Sequence, residues 1–381
     1  MRLGLSSGLS TGGFVPSFTN AYSVSFDGSD DHATTSADDT LATKTYSFWA
    51  KSSDTTHNTK NAVFDHGGIN RGAFYLNWNN SRPLIYLNTT AYRYFNDVSA
   101  QDDGNWHHWV VLIDSDITAT KLFCDGSEVS VISTTSTGSG LSYLTGIRIG
   151  RGDFYYFDGN LDEFAIFDGD KTGIVSTLYN DGVPSDLTGL SGLEHWWRMG
   201  DGTAPVADGS GWNTNDKFVF DQIGTSLGSE MVIADAYTTD EWYVYSGNTM
   251  TFGDNFMRCE RTESGSSNGW FTYLRSSSEA NSILTSTPTT DSFYLLTFDV
   301  ETDDADAYVF VKINNTSSYY LQGTGNGTKT IVYKKNSYID YIEGRSLSQG
   351  KFMKISNVSV KQINGATAAL TNGAAIQADA P

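Results

Sequence analysis

The chain has 381 residues, 44 of them acidic and 24 basic, for a formal net charge of -20 and a sequence pI near 4.5. Neutralising phosphates takes clustered Lys and Arg, so this balance argues against nucleic acid and against anionic membrane surfaces as partners. Aromatic residues at 13% exclude a disordered, solvating chain, and the length is that of two domains with cores of their own.

The 38 glycines and 6 prolines, set among many Ser, Thr, Asn and Asp, read as short strands joined by tight turns. Cys124 and Cys259 are far apart and are expected as two buried or half-buried thiols of a protein folded in a reducing cytoplasm, not as a disulfide framework. The opening residues lack the continuous apolar stretch of a secretion signal, and no segment approaches the roughly 20 apolar residues of a membrane span. No membrane insertion is expected, and a role outside the cell implies release by another route, such as lysis.

Residues 1–20, rich in Gly and Ser with scattered Leu and Phe, read as an extended N-terminal anchoring arm. From Tyr22 the pattern alternates: Tyr22–Phe26 closes at Asp27-Gly28, and strands follow at Tyr46–Ala50, Ala73–Trp78, Pro83–Leu87, Trp109–Ile113, Lys121–Cys124, Gly146–Gly150 and Leu161–Phe167. One short helix is expected over Gly173–Tyr179, stopping at Asn180-Asp181-Gly182, then a returning strand over Leu193–Gly200 and a linker to 224. A second set of strands runs through Trp242–Tyr245, Gly269–Leu274, Phe293–Val300, Ala307–Val311, Lys329–Tyr333, Tyr338–Ile342 and Lys354–Val360. The expectation is an all-β chain of two antiparallel β-sandwich (jelly-roll) domains in tandem, over 21–172 and 225–365, with 366–381 as a C-terminal tail.

Asn105-Trp106-His107-His108-Trp109, then Leu122-Phe123-Cys124-Asp125-Gly126, Ile147-Arg148-Ile149-Gly150 and Gly159-Asn160-Leu161-Asp162-Glu163-Phe164 occur in that order. This ordered set resembles the laminin-G-like branch of the concanavalin A-like lectin/glucanase fold. The resemblance implies two packed antiparallel sheets and glycan or protein binding, with or without calcium. Tyr294–Val300 and Ile355–Lys361 are similar to strands of jelly-roll carbohydrate-binding modules. The whole layout of arm, laminin-G-like unit, jelly-roll unit and tail resembles structural proteins of tailed phages, marine ones in particular.

Glucanases of this fold carry Glu-x-Asp-x-x-Glu or Glu-x-Asp-x-Glu on one strand, and the first domain has neither. Asp162 and Glu163 are neighbours, hence on opposite faces; Asp299, Glu301 and Asp303 share a face but run off a strand end, as a solvated edge that can hold a cation. His107-His108 are adjacent and no His-x-x-x-His or Cys-x-x-Cys is present, so no enzyme activity and no resident cofactor are expected. The loops Ser29-Asp30-Asp31 and Asp102-Asp103 offer oxygen ligands of the kind Ca²⁺ takes, without a complete set.

Sugars present apolar C–H faces and a ring of hydroxyls, so their sites pair flat aromatics with polar groups. The candidates are Tyr155 and Tyr156, at least one of which should be exposed, Trp78 beside Asn79-Asn80, and Trp270 with Tyr273 near Asn268. Core or subunit packing competes for each of them. The leading expectation is a non-enzymatic phage virion protein, a tail appendage, fibre or capsid-surface component. It would be assembled in the host cytoplasm and exposed on the particle, with other virion proteins, copies of itself and a cell-surface glycan as partners. A capsid decoration or cement protein without glycan binding is the alternative, and a glycan depolymerase the third.

Overall fold

The computed structural model describes residues 18–35, 43–54, 60–67, 71–136, 146–201, 218–234, 236–238, 240–264, 266–267, 269–276, 282–290, 292–313, 317–322, 326–335 and 340–381. Residues 1–17 of the expected arm and 202–217 of the expected linker lie outside them. The fold is all-β, two sandwiches of antiparallel sheets with 56% strand and 4% helix.

In the first sandwich one sheet runs in the order Ser127–Glu128, Lys121–Cys124, His107–Ile113, Lys44–Ser52, Asp158–Asp168, Ser23–Asp27, Ala375–Gln377, with Leu193–Trp197 also paired to Asp158–Asp168. The second sheet runs Val131–Ser136, Ala91–Phe95, Arg82–Asn88, Ala73–Asn79, Asn61–Asp65, Arg148–Ile149, His32–Thr35, Thr367–Thr371, Phe218–Phe220. Alternation sends Trp109, Val111 and Ile113 inward against Phe48, Phe64 and Phe74, while Val110 faces out. That outer face of the first sheet is covered: Val110, Phe123, Ala165 and Phe167 pack under Val175, Leu178 and Leu187 of the short helix Val175–Tyr179 and the chain after it. The helix ends on Asn180 in the left-handed region (φ 47°).

The second sandwich packs the sheet Asn248–Gly253, Phe256–Arg261, Phe352–Asn364, Phe293–Thr302, Gly327–Lys334 against the sheet Tyr243–Val244, Trp270–Ser276, Tyr341–Arg345, Tyr308–Ile313, Ser317–Gln322. Strict period-two burial along Phe293–Thr302 places Tyr294, Leu296, Phe298 and Val300 in a core with Trp242, Trp270, Val309 and Ile342. Both cysteines are buried and unpaired, one in each core, and burial pushes each thiol well up.

The chain does not end in a tail. Thr367–Thr371 pairs with His32–Thr35 on one side and Phe218–Phe220 on the other, and Ala375–Gln377 pairs with Ser23–Asp27. The segment carries few large apolar residues, which is why it reads as a tail, yet Ala368 and Leu370 alternate into the first core. The two sandwiches are consequently joined by a two-stranded ribbon. Phe220 pairs with Thr367, Asp221 donates its N–H to the Ala366 carbonyl (3.1 Å), and Ser226 pairs with Asn364. Val332 and Ile363 of the second sandwich belong to the first core's cluster, with Leu227, Phe293 and Leu295 packed against it. Gly365 (φ +143°) marks the crossing, where a β-carbon would run into Thr225.

Residues 18–22 are strapped to the first sandwich. Phe18 stacks on Trp196 at 6.2 Å, the Asn20 amide donates to Asp162 (2.8 Å), and Asp201 accepts the N–H groups of Ala21 and Tyr22.

His66 and His108 are buried beside Tyr46 Oη (2.6 Å) and Ser47 Oγ (2.9 Å), and burial pushes both imidazoles down to about 3. His107 moves the other way, raised by its bond to Asp125 (2.6 Å). In the unfolded chain all three titrate near 6.5, so below that pH the unfolded state takes up protons that native His66 and His108 refuse. The stability these two contribute falls as pH drops, by up to about 1.4 kcal/mol per pH unit for each. The His107 contribution is complete below 6.5 and fades only as pH rises through its raised native value. The raised carboxyls of Asp162 and Glu163 act in the opposite sense over the same range, so the check is a difference: from pH 6.5 to 5.5 the urea midpoint of His108→Gln should fall less, or rise more, than that of the parent chain, and equal changes in the two would mean that His108 is charged in the fold.

Candidate functional site

Two sheet faces outside the cores gather aromatic residues. On the strand Trp270–Ser276 the pleat sends Trp270, Thr272 and Leu274 inward and Phe271 and Tyr273 outward. Tyr341 and Glu343 on the neighbouring strand lie opposite Tyr273 and Phe271 in the ladder. With Tyr245 and Arg345 these residues line a groove of about 210 Å³. Its rings form a chain: Tyr243–Phe271 at 4.8 Å, Phe271–Tyr273 at 5.1 Å, Tyr273–Tyr341 at 6.2 Å and Tyr341–Phe310 at 6.0 Å between centroids.

Polar groups are fixed in the same groove. Glu343, buried, accepts from Tyr245 Oη (2.9 Å) and from the Arg345 guanidinium (2.7 Å). The bond to Glu343 raises the Arg345 pKa further, so this side chain is a permanent cation, and it lies 4.7 Å over the Phe310 ring. Arg345 Nε–H is buried without a hydrogen-bond partner. An aromatic lining, its neighbouring rings edge-on at Phe271–Tyr273 and Tyr273–Tyr341, beside an oriented ion pair is the equipment of a sugar-ring subsite.

The second face is the outer side of the second sheet. Ala62, Ala73, Tyr75, Leu84 and Tyr86 form its base, with half-buried Trp78, Tyr92, Tyr94 and Tyr155 packed on them. Asn80 and Ser81 (φ 51° and 54°) make the tight turn that presents Trp78 at its strand end. Tyr155 comes from the hairpin Arg151–Tyr156, and its ring lies edge-on to Trp78 at 5.7 Å. Lys60 Nζ sits over both, 3.7 Å from the Trp78 centroid and 4.4 Å from that of Tyr155, donating to Tyr155 Oη (3.0 Å).

The structure thus brings Trp78 and Tyr155 together from distant segments and places Tyr273 in the other groove. Trp270 is a correction. It is wholly buried and meets Trp242 edge-on at 5.2 Å, because positions three apart on a strand face opposite ways. Tyr156 also stands apart from Trp78: it takes Arg151 over its ring at 5.2 Å and neighbours His32. Both Tyr155 and Tyr156 are half-buried, and the fully presented ring of this hairpin is Phe154, 73% exposed. Phe271, Tyr341 and Arg345 were absent from the candidates; adding or removing an even number of positions from Tyr273 along its strand would have found Phe271. Asn268 lies outside the described residues.

The acidic groups are engaged structurally. Asp162 and Glu163 sit at a bulge where Glu163 adopts φ 49°, both buried. Glu163 accepts from Arg198 Nε (2.9 Å) and Trp196 Nε1 (2.6 Å), and burial holds its carboxyl up near 7 despite the Arg198 charge. Burial and the neighbouring Glu163 likewise push Asp162 up. Neither lines the groove of Tyr245, Phe271 and Arg345. Asp299 is bound by Asn357 and Thr328, Glu301 by Lys354 and Asp303 by the Phe352 N–H, so this edge is a set of cross-strand bonds. Asp27, Asp30 and Asp31 each bring a carboxylate oxygen within 4.8 Å of the others, but Asp27 caps Ser29 and Asp31 accepts the Asp27 N–H. Asp103 is bound by Asn105 and His107.

Residues 27–173 match the family described as the concanavalin A-like lectin/glucanases superfamily, and the first sandwich has that lectin-like fold. No curated protein matches the chain. Among solved structures it is similar to a SAP-like pentraxin from Limulus polyphemus (14% identity, 42% of this chain and 82% of that one, TM-score 0.32). It is also similar to the N-terminal CBM22-1-CBM22-2 tandem domain of Paenibacillus barcinonensis Xyn10C (8% identity, 85% and 79%, TM-score 0.23) and to domains LG4-5 of the mouse laminin alpha1 chain (8% identity, 93% and 82%, TM-score 0.27).

The two faces of one strand should respond differently to truncation. Trp270→Ala is expected to cost about 3–5 kcal/mol of stability, as an emptied core site does, and Tyr273→Ala well under half of that. Chemical denaturation of both variants checks this; equal losses would place Tyr273 in a core.

Proposed function

We propose that the protein is a non-enzymatic glycan-binding adhesin whose second sandwich holds a sugar ring in the groove of Tyr245, Phe271, Tyr273, Tyr341, Glu343 and Arg345. The observation that carries this reading is the run of rings Phe271, Tyr273 and Tyr341 lining a groove beside the Arg345 guanidinium that Glu343 holds in place. At about 210 Å³ the groove is smaller than the roughly 300–1,000 Å³ of an enclosed small-molecule pocket, which suits a ring lying on a surface. Absence of catalysis is part of the proposal and is supported by the spent carboxylates Asp162 and Glu163 in the unit that matches a family including glucanases.

We further propose that the adhesin is a phage virion component, exposed on the particle and assembled in the host cytoplasm, with residues 1–17 as its attachment to other virion proteins or to identical subunits. The support for this is the sequence layout alone. The reading as a decoration protein without glycan binding is favoured by one observation, the exposed apolar side chains Phe154, Val131 and Ile132, which suit contact with another subunit.

On a glycan array the full chain should bind a restricted set of sugars. Phe271→Ala and Arg345→Gln should each lower that affinity about tenfold, the loss of roughly 1.4 kcal/mol of stacking or hydrogen bonding. No binding, or binding indifferent to both changes, would remove the groove from the account, and release of reducing ends from host polysaccharide would restore the depolymerase. Deleting residues 1–17 should leave both sandwiches folded and abolish incorporation into particles. Normal incorporation would sink the anchoring role.

A further inference from the structure

The chain carries a net charge of -20, yet from Lys60 to Asn96 it holds four basic residues, Lys60, Arg71, Arg82 and Arg93, against the single acid Asp65. These residues build one half of the second sheet, from Asn61–Asp65 to Ala91–Phe95. The fold then sorts them. Arg93 turns to the sheet margin, donating to Thr120 O and Thr134 Oγ1. Arg82 is exposed and two and four positions from Leu84 and Tyr86, so it shares their outer face. Arg151, from the covering hairpin, lies over Tyr156 and reaches only the Asp153 carbonyl.

Lys60 is the centre of this face. Its ammonium is fixed by the Trp78 and Tyr155 rings and by Tyr155 Oη, and among the described residues no carboxylate pairs with it, with Arg82 or with Arg151. The acids on this side are Asp65, buried and bound by Arg148, and half-buried Asp153, whose N–H donates to Asp65. Lys60 and Arg82, with no carboxylate in contact, stand among Trp78, Tyr92, Tyr94 and Tyr155, and Arg151, whose charge also acts on Asp153, stands beside Tyr156 on the hairpin; together they combine a local positive field with stacking faces. A neutral sugar uses the rings and leaves the cations idle. An anion on the sugar uses both.

We propose that this outer face, centred on Lys60 between Trp78 and Tyr155 and flanked by Arg82 and Arg151, is a second carbohydrate site that takes an acidic polysaccharide, one whose rings carry carboxylate or sulfate. The inference rests on the glycan-binding reading but uses the other sandwich and a different ligand class. Elsewhere the acidic surface repels such a polymer, which directs it to this face.

The test is titration of the full chain with polygalacturonate, with its fully methyl-esterified form and with dextran sulfate, at low and high salt. Binding to polygalacturonate, dextran sulfate or both is expected, with affinity falling about tenfold as added salt shortens the screening length; which polymer binds tells carboxylate from sulfate. Lys60→Gln, and the surface double change Arg82→Gln with Arg151→Gln, should each lower that affinity about tenfold. The methyl-esterified polymer should bind at least tenfold more weakly than the acid. Equal binding of acid and ester, unchanged affinity in both variants, or duplex DNA bound as tightly as polygalacturonate would overturn the proposal. Phe271→Ala keeps the two readings apart: it should weaken only binding in the groove of the second sandwich, so loss of one kind of ligand with retention of the other shows which site fails.

Discussion

A strand that buries one side must present the other, and every second side chain goes with it. In this protein that constraint decides what each face becomes. The outer face of the first sheet is closed by the short helix and the chain after it, which bury Val110, Phe167 and Trp196. The outer sides of two other sheets instead carry rings that the interiors leave out. One becomes a groove with Phe271 and Tyr341, the other a platform with Trp78 and Tyr155. Each face has its polar groups fixed by neighbours, Arg345 by Glu343 and Lys60 by Tyr155, so a ligand meets oriented groups and not a loose collection of side chains.

The same constraint accounts for the acids. A carboxylate neighbouring another along a strand can reach a shared reacting centre only if the strand bends, and it does bend at Glu163. The bend turns both carboxyls into the protein, where Arg198, Trp196 and Asn20 satisfy them. They tie three separated stretches of chain together. A fold shared with glucanases here uses its acids as fasteners.

Much of the fold was legible because strands of period two with Asp-Gly turns leave a plain pattern: Tyr22–Phe26, Trp109–Ile113 and Phe293–Val300 all lie within or around strands of the structure. The end of the chain was not, since Ala368 and Ala369 carry too little hydrophobic signal to announce a strand that earns its place through backbone pairing on both sides. Among the site residues Tyr273 was readable from composition, while Trp270 failed for want of asking which face it takes. Lys60 and Arg345 could not be read at all, because what singles them out is a ring or an ion pair contributed by another strand.

The ribbon between the sandwiches has a further consequence for how the molecule comes to exist. Everything between Gln222 and Gly365 enters and leaves by adjacent paired strands, so that unit is an insertion whose two ends meet. The unit that starts first is finished last: Ser23–Asp27 and His32–Thr35 each have one partner, in Asp158–Asp168 and Arg148–Ile149, and gain the second only with residues 367–377. The first sandwich is therefore completed only by chain that follows the whole insertion, and a polypeptide stopped before residue 367 would carry Ser23–Asp27 and His32–Thr35 as open sheet edges.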